Sequence, residues 1–269
     1  MRVPFNMDSL KFVSYLSITL LSVPIFVLLW YGFVVYRSAQ GFQSAVFQSI
    51  LLSLIGSLAA GVLNFLIFTP LAFQLSLARS SLLEAIGDLP ASIPHPIVGI
   101  ALLLFFSPMT PFGRSLIEHG FGIFDTIQGY VIALTIVSAP VYIRGVQSAL
   151  ESSPKGPFML AVGLGASNLR ALYLVVIPTA MRGVVSSLLT STSRALSEFG
   201  SVAIVSYYVL QKPFFGIEPA SVLVYEYYGY YGPGVAITAA SVMVIVSLAM
   251  LAVSRLVGSR GRSRNTLAL

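Results

Sequence analysis

Two oppositely charged residues, Arg194 and Glu198, stand four positions apart inside a long apolar stretch of the chain. In a helix this spacing places both side chains on one face, where they can form an ion pair. Ionisable residues within such stretches are rare, and they usually face other helices or a water-filled cavity. The pair therefore has two interpretations: an ion pair that fixes helix packing, or a charged site beside the path or gate of a polar solute.

A run of hydroxyl residues, 190–193, comes directly before this pair. Hydroxyl groups that face a pore would offer weak and exchangeable hydrogen bonds to a polar solute. Their commoner use is to bond a neighbouring helix or the preceding turn of their own helix. Both interpretations stay open at this point. The candidate residues for a translocation path or gate are Ser191, Ser193, Arg194 and Glu198.

The other residues that could take part in catalysis or metal binding do not form a recognisable site. The chain has no cysteine, so disulfides and thiolate ligands are excluded. His95 lies between two prolines and His119 follows Glu118, and neither has a second ligand at metal-binding spacing. No nucleophile has a plausible base, and no G-x-x-x-x-G-K-[ST] phosphate loop is present. We therefore predict no catalytic residue, no metal site and no cofactor bound by this chain, and we expect both histidines to be structural.

The composition is that of a membrane protein. Hydrophobic residues make up 57% of the 269 residues and charged residues only 9%, against roughly 25% charged residues in soluble domains. The net charge of +6 comes without any nucleic-acid-binding motif, so we predict no nucleic-acid partner. The excess apolar surface must face lipid or other apolar helices.

Six apolar runs can serve as membrane spans. Crossing the hydrocarbon core takes about 20 residues, and a backbone in lipid must bond within its own segment, which favours helices. The third run is short and borders on a re-entrant segment, and the first is too long for a signal peptide. We predict one all-α integral membrane domain over residues 1–269 with about six transmembrane helices: Phe12–Tyr36, Phe47–Phe73, Ala91–Phe106, Phe124–Ile143, Arg182–Leu210 and Val235–Val257.

The positive charges give the orientation. Of the 15 Lys and Arg residues, the outer loops would hold only Arg37, Arg114 and Lys212 if the N-terminus is inside. This bias follows the positive-inside rule and predicts a multi-pass protein of the cytoplasmic membrane with both termini cytoplasmic. The outer loop 211–233 contains five tyrosines, which form either an interfacial aromatic belt or a docking surface for an external partner.

The inner loop between the fourth and fifth spans, about 144–181, is not a simple polar linker. Pro157 suits the start of a short helix and Gly165 its end, while Ser167 can cap a second helix. Pro178 marks the return to the membrane. Three apolar residues of the short helix fall on one face: Phe158, Met159 and Val162. Such a helix, lying on the membrane surface, needs lipid or a groove on a partner to cover its apolar face.

Two stretches of this loop resemble the cytoplasmic signature loop of ABC-importer permeases: Ala161-Val-Gly-Leu-Gly165-Ala-Ser-Asn and Val175-Val-Ile-Pro178. In that family the pattern is Glu-Ala-Ala, a Gly four residues later and a closing Ile-x-Leu-Pro. Met159 and Leu160 stand where the family has Glu and its first Ala, which weakens a specific salt bridge to the ATPase. The resemblance implies a coupling helix that docks on an ATP-hydrolysing subunit through Pro157, Phe158, Met159, Ala161, Val162, Gly165, Ala166, Ser167 and Pro178.

Two further stretches are similar to molybdate/tungstate permeases: Leu89-Pro-Ala-Ser-Ile-Pro-His-Pro96 and Arg194-Ala-Leu-Ser-Glu198-Phe-Gly200. Sulfate permeases share much of both. The resemblance implies a non-enzymatic permease subunit of an importer for a tetrahedral oxyanion, molybdate or tungstate, with sulfate or thiosulfate as the alternative.

It further implies a pore of two copies, two subunits that bind ATP and Mg on the inner face, and an external substrate-binding protein. An ion-coupled secondary transporter is a less favoured alternative, because Glu198 is the only good coupling carboxylate.

Overall fold

The computed structural model describes residues 7–78 and 80–259, so segments 1–6 and 260–269, which carry the predicted cytoplasmic termini, lie outside the described residues. The described chain is almost wholly helical, in agreement with the predicted fold class. In chain order the helices are α1 (Met7–Trp30, prolonged by the π-helical turn Tyr31–Tyr36), α2 (Ser44–Leu77), α3 (Ser81–Ser92), α4 (His95–Phe105), α5 (Pro111–Glu118), α6 (Ile127–Glu151), α7 (Gly156–Gly163), α8 (Asn168–Thr179), α9 (Met181–Leu196), α10 (Val202–Val205), α11 (Ala220–Tyr230) and α12 (Pro233–Ser259).

Four of these helices are long and apolar enough to cross a membrane by themselves, namely α1 with its π-helical turn, α2, α6 and α12. Two further spans are bent pairs: α3 with α4 at 105°, and α8 with α9 at 91°. If each bent pair is one span, the count is up to six, which agrees with the predicted number.

The continuous third helix predicted over Ala91–Phe106 is wrong. Ile93 is extended (φ −113°, ψ 153°), and α4 begins only at His95 and runs for 11 residues. A residue before proline is pushed out of the helical region by the proline ring, and Pro94 follows Ile93. The chain therefore turns sharply here, and the short α4 cannot cross the hydrocarbon core alone.

The boundaries predicted for the fifth span and for the inner loop are also wrong. Helix α9 ends at Leu196 rather than continuing to Leu210, and a turn over 197–201 leads into the four-residue α10. The turn is stabilised by the Glu198 carboxylate, which accepts a hydrogen bond from the backbone N–H of Ser201 at 2.9 Å. At the inner side, α6 continues to Glu151, so residues 144–151 belong to this helix and not to the loop.

The centre of the bundle is a close contact among α2, α6 and α9. A Cβ at Gly61 would lie 2.5 Å from the Thr192 hydroxyl oxygen, so glycine allows α2 and α9 to approach. The Asn64 amide donates to the Ser138 hydroxyl at 2.8 Å, and both residues are fully buried. The prediction that Asn64 bonds a neighbouring helix is confirmed.

Candidate functional site

The inner loop folds into a helical hairpin of α7 and α8. Helix α7 has Pro157 in its first turn, and Gly165 ends it with a φ of +93°, a left-handed conformation that glycine adopts without strain. Two backbone bonds close the end: Gly165 N–H donates to Val162 at 2.9 Å, and Ala166 N–H to Ala161 at 3.0 Å. The Ser167 hydroxyl accepts from the first turn of α8. The predicted start, end and cap of this segment are confirmed.

The prediction that Phe158, Met159 and Val162 share one face of α7 is wrong for Met159. Phe158 is only 9% exposed and lies edge-on against Phe73 of α2, with ring centroids 4.9 Å apart. Val162 is half-buried beside this contact. Met159 instead points outward with two leucines, and these three exposed residues form what we call the outward apolar surface: Met159, Leu160 and Leu164.

The opposite side of α7 is fixed to the ends of three other helices. Phe158 belongs to a core cluster that includes Leu150 of α6 and Val176 of α8. The Lys155 ammonium donates to the Ser76 carbonyl near the end of α2 at 3.3 Å. Helix α7 is therefore in direct contact with α2, α6 and α8. Pro178, in the last turn of α8, lies just before the 91° bend into α9.

A charged junction of His95, Arg194 and Glu198 lies where α9 ends. The Glu198 side chain is 1% exposed, and its Oε2 lies 3.0 Å from Arg194 Nη2 and 2.8 Å from His95 Nδ1. Its Oε1 accepts from the backbone N–H and the hydroxyl of Ser201. The predicted pairing of Arg194 with Glu198 is confirmed, although Glu198 lies in the turn after α9 and not on the helix. The buried carboxylate is fully hydrogen-bonded, as a buried charge must be.

His95 reaches this junction because α4 lies directly on the turn after α9. A Cβ at Gly200 would be 3.0 Å from the His95 Cβ, and a Cβ at Gly99 would be 2.8 Å from the Ser201 carbonyl oxygen. The Ser221 hydroxyl of α11 also donates to the Glu198 carbonyl at 2.7 Å. Sequence reasoning missed this role of His95. The two glycines indicate a close backbone approach, but a single sequence does not reveal which segments meet.

Ionic contacts hold the bent pair of α3 and α4 to α6. The Arg144 guanidinium binds both carboxylate oxygens of Asp88, and it lies 3.4 Å from Glu84. Gln147 also donates to Glu84, at 3.3 Å. None of the residues of α3 is buried, so these polar contacts are the main attachment that positions α3.

The hydroxyl run before Arg194 is bonded within its own helix. Ser191 and Thr192 are buried and both donate to the Leu188 carbonyl, at 2.9 and 2.8 Å. Ser193 is half-buried and Thr190 is exposed, and they donate to the carbonyls one turn before them. Back-bonding, one of the two interpretations, is therefore what the structure shows for all four. Ser191 lies on the buried face of α9, away from its exposed side.

The exposed side of α9 is polar after its first residue, Met181, which is exposed. The other exposed residues are Arg182, Thr190 and, just beyond the helix end, Ser197, with Ser193 and Arg194 half-buried near the last two. The middle of α2 differs, since between Leu51 and Ile67 every exposed residue is large and apolar: Leu51, Ile55, Leu58, Val62, Leu66 and Ile67. Gln48 and Gln74 are exposed nearer its ends. Lipid suits the exposed side of α2, whereas polar groups within a span usually face water or protein.

Helix α11 carries the tyrosines of the predicted outer loop. Tyr225, Tyr228 and Tyr230 are exposed, while Tyr227 is buried against α12. Just before this helix, burial raises the pKa of the Glu218 carboxyl, and the nearby Glu226 carboxylate raises it further. Within residues 7–78 and 80–259, no group of three or more His, Cys, Asp or Glu side chains could hold a metal ion.

These features define a class: a helical membrane permease with bent spans, an inner hairpin and an internal ion-paired junction. Among solved structures, a chain of the MetNI methionine ABC transporter in an inward facing conformation has the same fold. Its TM-score is 0.60 at 20% identity, and the match covers 84% of this chain and 100% of that chain.

Residues 66–262 match the sequence profile of the "Binding-protein-dependent transport system inner membrane component" family, and the chain belongs to this family of ABC-importer permeases. The match includes the inner hairpin and the charged residues of α9. The family assignment confirms the resemblance found in the sequence and identifies the chain as a transport subunit rather than an enzyme. Permeases of this family work in complexes with ATP-binding and substrate-binding partners.

Three named relatives are similar over much of their length. The molybdate/tungstate transport system permease protein WtpB of Pyrococcus furiosus is 30% identical over 81% of this chain and 80% of its own. A probable sulfate transport system permease protein cysT of Prototheca wickerhamii is 32% identical over 70% and 72%. The probable transport system permease protein NifC of Clostridium pasteurianum is 31% identical over 61% of this chain, which spans 59% of NifC.

Proposed function

We propose that this chain forms the pore of an ATP-driven importer for a tetrahedral oxyanion, namely molybdate or tungstate. The similarity to WtpB over four-fifths of both chains supports molybdate or tungstate. The similarity to cysT keeps sulfate or thiosulfate as the alternative. The structural observation that carries the proposal is the half-exposed Arg194 guanidinium at the end of the polar side of α9.

The polar side of α9 is the proposed wall of the translocation path. Its exposed residues Thr190 and Ser197 stand in line with Arg194 along the helix, at spacings of three to four residues. A charged guanidinium on this side does not suit lipid, so an aqueous cavity or the second copy of the chain must cover it. Of the predicted residues, Ser193 and Arg194 fit this path. Glu198 is buried behind Arg194 as its ion-pair partner, and Ser191 is buried as well.

This wall suits passage rather than retention of an anion. The Thr190 and Ser193 hydroxyl hydrogens are already donated to the helix, so each hydroxyl must break a bond before it can donate to an oxyanion. A hydrogen bond of this kind contributes about 1 kcal/mol net. Glu198 balances the charge of Arg194 at 3.0 Å. The path therefore offers a dianion weak attraction, and tight binding belongs to the external binding protein.

The outward apolar surface of α7 is the proposed docking surface for the ATP-binding subunit. Exposed Met159, Leu160 and Leu164 need a cover, and an amphipathic helix commonly lies in a groove of a partner. Phe158 does not take part in this contact, since it anchors α7 to the core. The other predicted coupling residues shape the hairpin or lie beside it.

The proposed assembly contains two copies of this chain, two ATP-binding subunits with ATP and Mg on the inner face, and a substrate-binding protein on the outer face. The excess of Lys and Arg in the loops predicted to be inside supports a location in the cytoplasmic membrane with both termini inside. The exposed tyrosines of α11 then lie on the side of the binding protein or at the lipid interface. A secondary transporter is disfavoured, because both oxygens of Glu198 are already bonded and leave no ligand for a coupling ion.

Reconstitution of the complex tests the function. We expect this chain to copurify with an ATP-binding subunit and to transport radiolabelled molybdate into proteoliposomes only when ATP and the binding protein are present. Competition by tungstate and by sulfate ranks the substrates. Uptake by this chain alone without ATP would contradict the proposal, and so would a hairpin whose cross-links never reach the ATP-binding subunit.

Arg194→Ala tests the proposed path. We expect uptake to fall about ten- to hundredfold, since a hydrogen bond to a charged group contributes about 1.5–3 kcal/mol. The complex should still assemble, because Glu198 retains His95 and Ser201 as partners. Arg114→Ala, which removes an exposed arginine bonded to the Pro108 carbonyl in the outer region, is the matched control. Loss of assembly in Arg194→Ala alone would support a purely structural ion pair.

A further inference from the structure

His95 has two ring nitrogens in different surroundings. Nδ1 lies 2.8 Å from Glu198 Oε2. Arg194 Nη2 lies 2.9 Å from Nδ1 and 3.2 Å from Nε2. An atom in the ring plane cannot lie so near to both nitrogens without overlapping the carbon between them. The guanidinium therefore lies over the face of the imidazole ring, a favourable stacking arrangement for arginine.

This arrangement determines which ring nitrogen of His95 carries a hydrogen. The ionised Glu198 carboxylate only accepts hydrogen bonds, so Nδ1 carries the hydrogen that points to it. The neutral ring then has its lone pair on Nε2, and a second proton can only go there. The His95 side chain is 27% exposed while Glu198 is 1% exposed. Since Nδ1 faces the buried carboxylate, Nε2 is the ring nitrogen left to meet a partner from outside the junction.

The charge of the junction depends on this second proton. The charged groups that face His95 are Arg194 and Glu198, and Tyr130 of α6 is the next titratable group in electrostatic contact with Glu198. Helix α10 has no ionisable residue, and α11 contributes the Ser221 hydroxyl. With neutral His95 the charges of Arg194 and Glu198 cancel, whereas with protonated His95 the junction has a net charge of +1. An approaching dianion favours the second state.

We propose that His95 is a protonation-dependent contact for the transported oxyanion, which rests on the proposed function of this chain. In the protonated ring, Nε2–H donates to one oxygen of the anion, and the free edge of the Arg194 guanidinium donates to another. The proton comes from the water that surrounds the arriving anion. When it returns to water, Nε2 presents a lone pair, the junction is neutral again and the anion is released.

Two substitutions separate this role from a structural one. His95→Asn places an amide nitrogen near the position of Nδ1, so the bond to Glu198 is kept while the outer nitrogen is lost. His95→Gln extends an amide toward the position of Nε2 but never carries a charge. His119→Gln is the matched control, because His119 is the only other histidine of the chain and bonds the Ser115 carbonyl within α5.

Transport is measured in proteoliposomes that contain the whole complex and saturating binding protein, with equal pH on both sides of the membrane. We expect ATP-dependent molybdate uptake by the wild type and by His119→Gln to fall on the order of tenfold when the pH is raised from about 6 to 8, because only the protonated ring donates from Nε2. Both His95 variants should lose this dependence, and His95→Asn should be the slower. A wild-type pH profile in both variants, or wild-type rates in His95→Asn, would overturn the role of His95.

NMR of the wild-type complex decides the matter if a variant fails to assemble. With ¹⁵N-histidine in this chain alone, only His95 and His119 give signals. We expect His95 in the Nδ1–H tautomer and a proton on Nε2 when millimolar molybdate is added near pH 7, with His119 unchanged. A His95 signal indifferent to molybdate overturns the inference alone. A wild-type complex without ATP-dependent oxyanion uptake overturns the proposed function, and the inference with it.

Discussion

Phe158→Ala is expected to uncouple ATP hydrolysis from transport while the ATP-binding subunit stays bound. The ring of Phe158 is packed between the inner ends of α2, α6 and α8, and its removal leaves a cavity beside Phe73. A buried phenylalanine replaced by alanine typically costs about 3 kcal/mol or more. The hairpin should therefore move without displacing the membrane helices. The measurement is the number of oxyanions transported per ATP hydrolysed, together with the thermal stability of the purified complex.

The double variant Met159→Glu with Leu160→Glu is the matched test on the other face of α7. Both side chains are exposed, so thermal stability of the chain should be unchanged. Two carboxylates in an apolar contact would be desolvated without partners, so we expect loss of copurification with the ATP-binding subunit. If the double variant still bound that subunit, or if Phe158→Ala kept the wild-type transport ratio, the proposed division of α7 into two faces would be refuted.

Glu198→Ala is expected to lower the stability of the complex by about 3 kcal/mol or more and to abolish uptake. Removing one partner of a buried ion pair leaves the other charge uncompensated. Here it would leave Arg194 and His95 without their counter-charge and Ser201 without its acceptor. The measurements are the melting temperature of the detergent-solubilised complex and ATP-dependent uptake.

Glu198→Gln is the control that keeps the shape of the side chain and removes only its charge. The amide oxygen can still accept from Ser201, but the amide NH2 then faces the donors of Arg194 and His95, so only part of the stability should return. The uncompensated Arg194 should then hold the oxyanion, and we expect the apparent KM and the maximal rate of uptake to fall together. An alanine variant as stable and active as the wild type would show that Glu198 does not organise the junction.

The local structure of the inner hairpin was predictable because its signals are local. A proline in the first turn of α7, a glycine with positive φ at Gly165 and a serine cap at Ser167 act over one helical turn, so neighbouring residues suffice. The face of α7 that is buried was not predictable. It depends on where Phe73 of α2 lies, and that residue is far away in the sequence.

The bends in the third and fifth spans also could not be predicted fully from local sequence signals. Pro94 predicts a break in the helix, but the 105° angle between α3 and α4 depends on the attachment of α3 to Arg144 of α6. The end of α9 at Leu196 depends on a carboxylate that folds back onto Ser201. Hydropathy detects apolar segments and is insensitive to such turns, because the residues within them remain apolar on average.

The amino-acid sequence alone was enough to predict a helical membrane protein, a resemblance to ABC-importer permeases and the pairing of Arg194 with Glu198, although Glu198 lies in the turn after α9. These features follow from composition, motif order and helical periodicity, all of which are properties of the linear sequence. Only the tertiary structure decided that His95 joins the pair, that Ser191 is buried and that the exposed side of α9 is polar. Those facts arise from contacts between segments about 100 residues apart, whose mutual positions are fixed by the packing of the whole bundle.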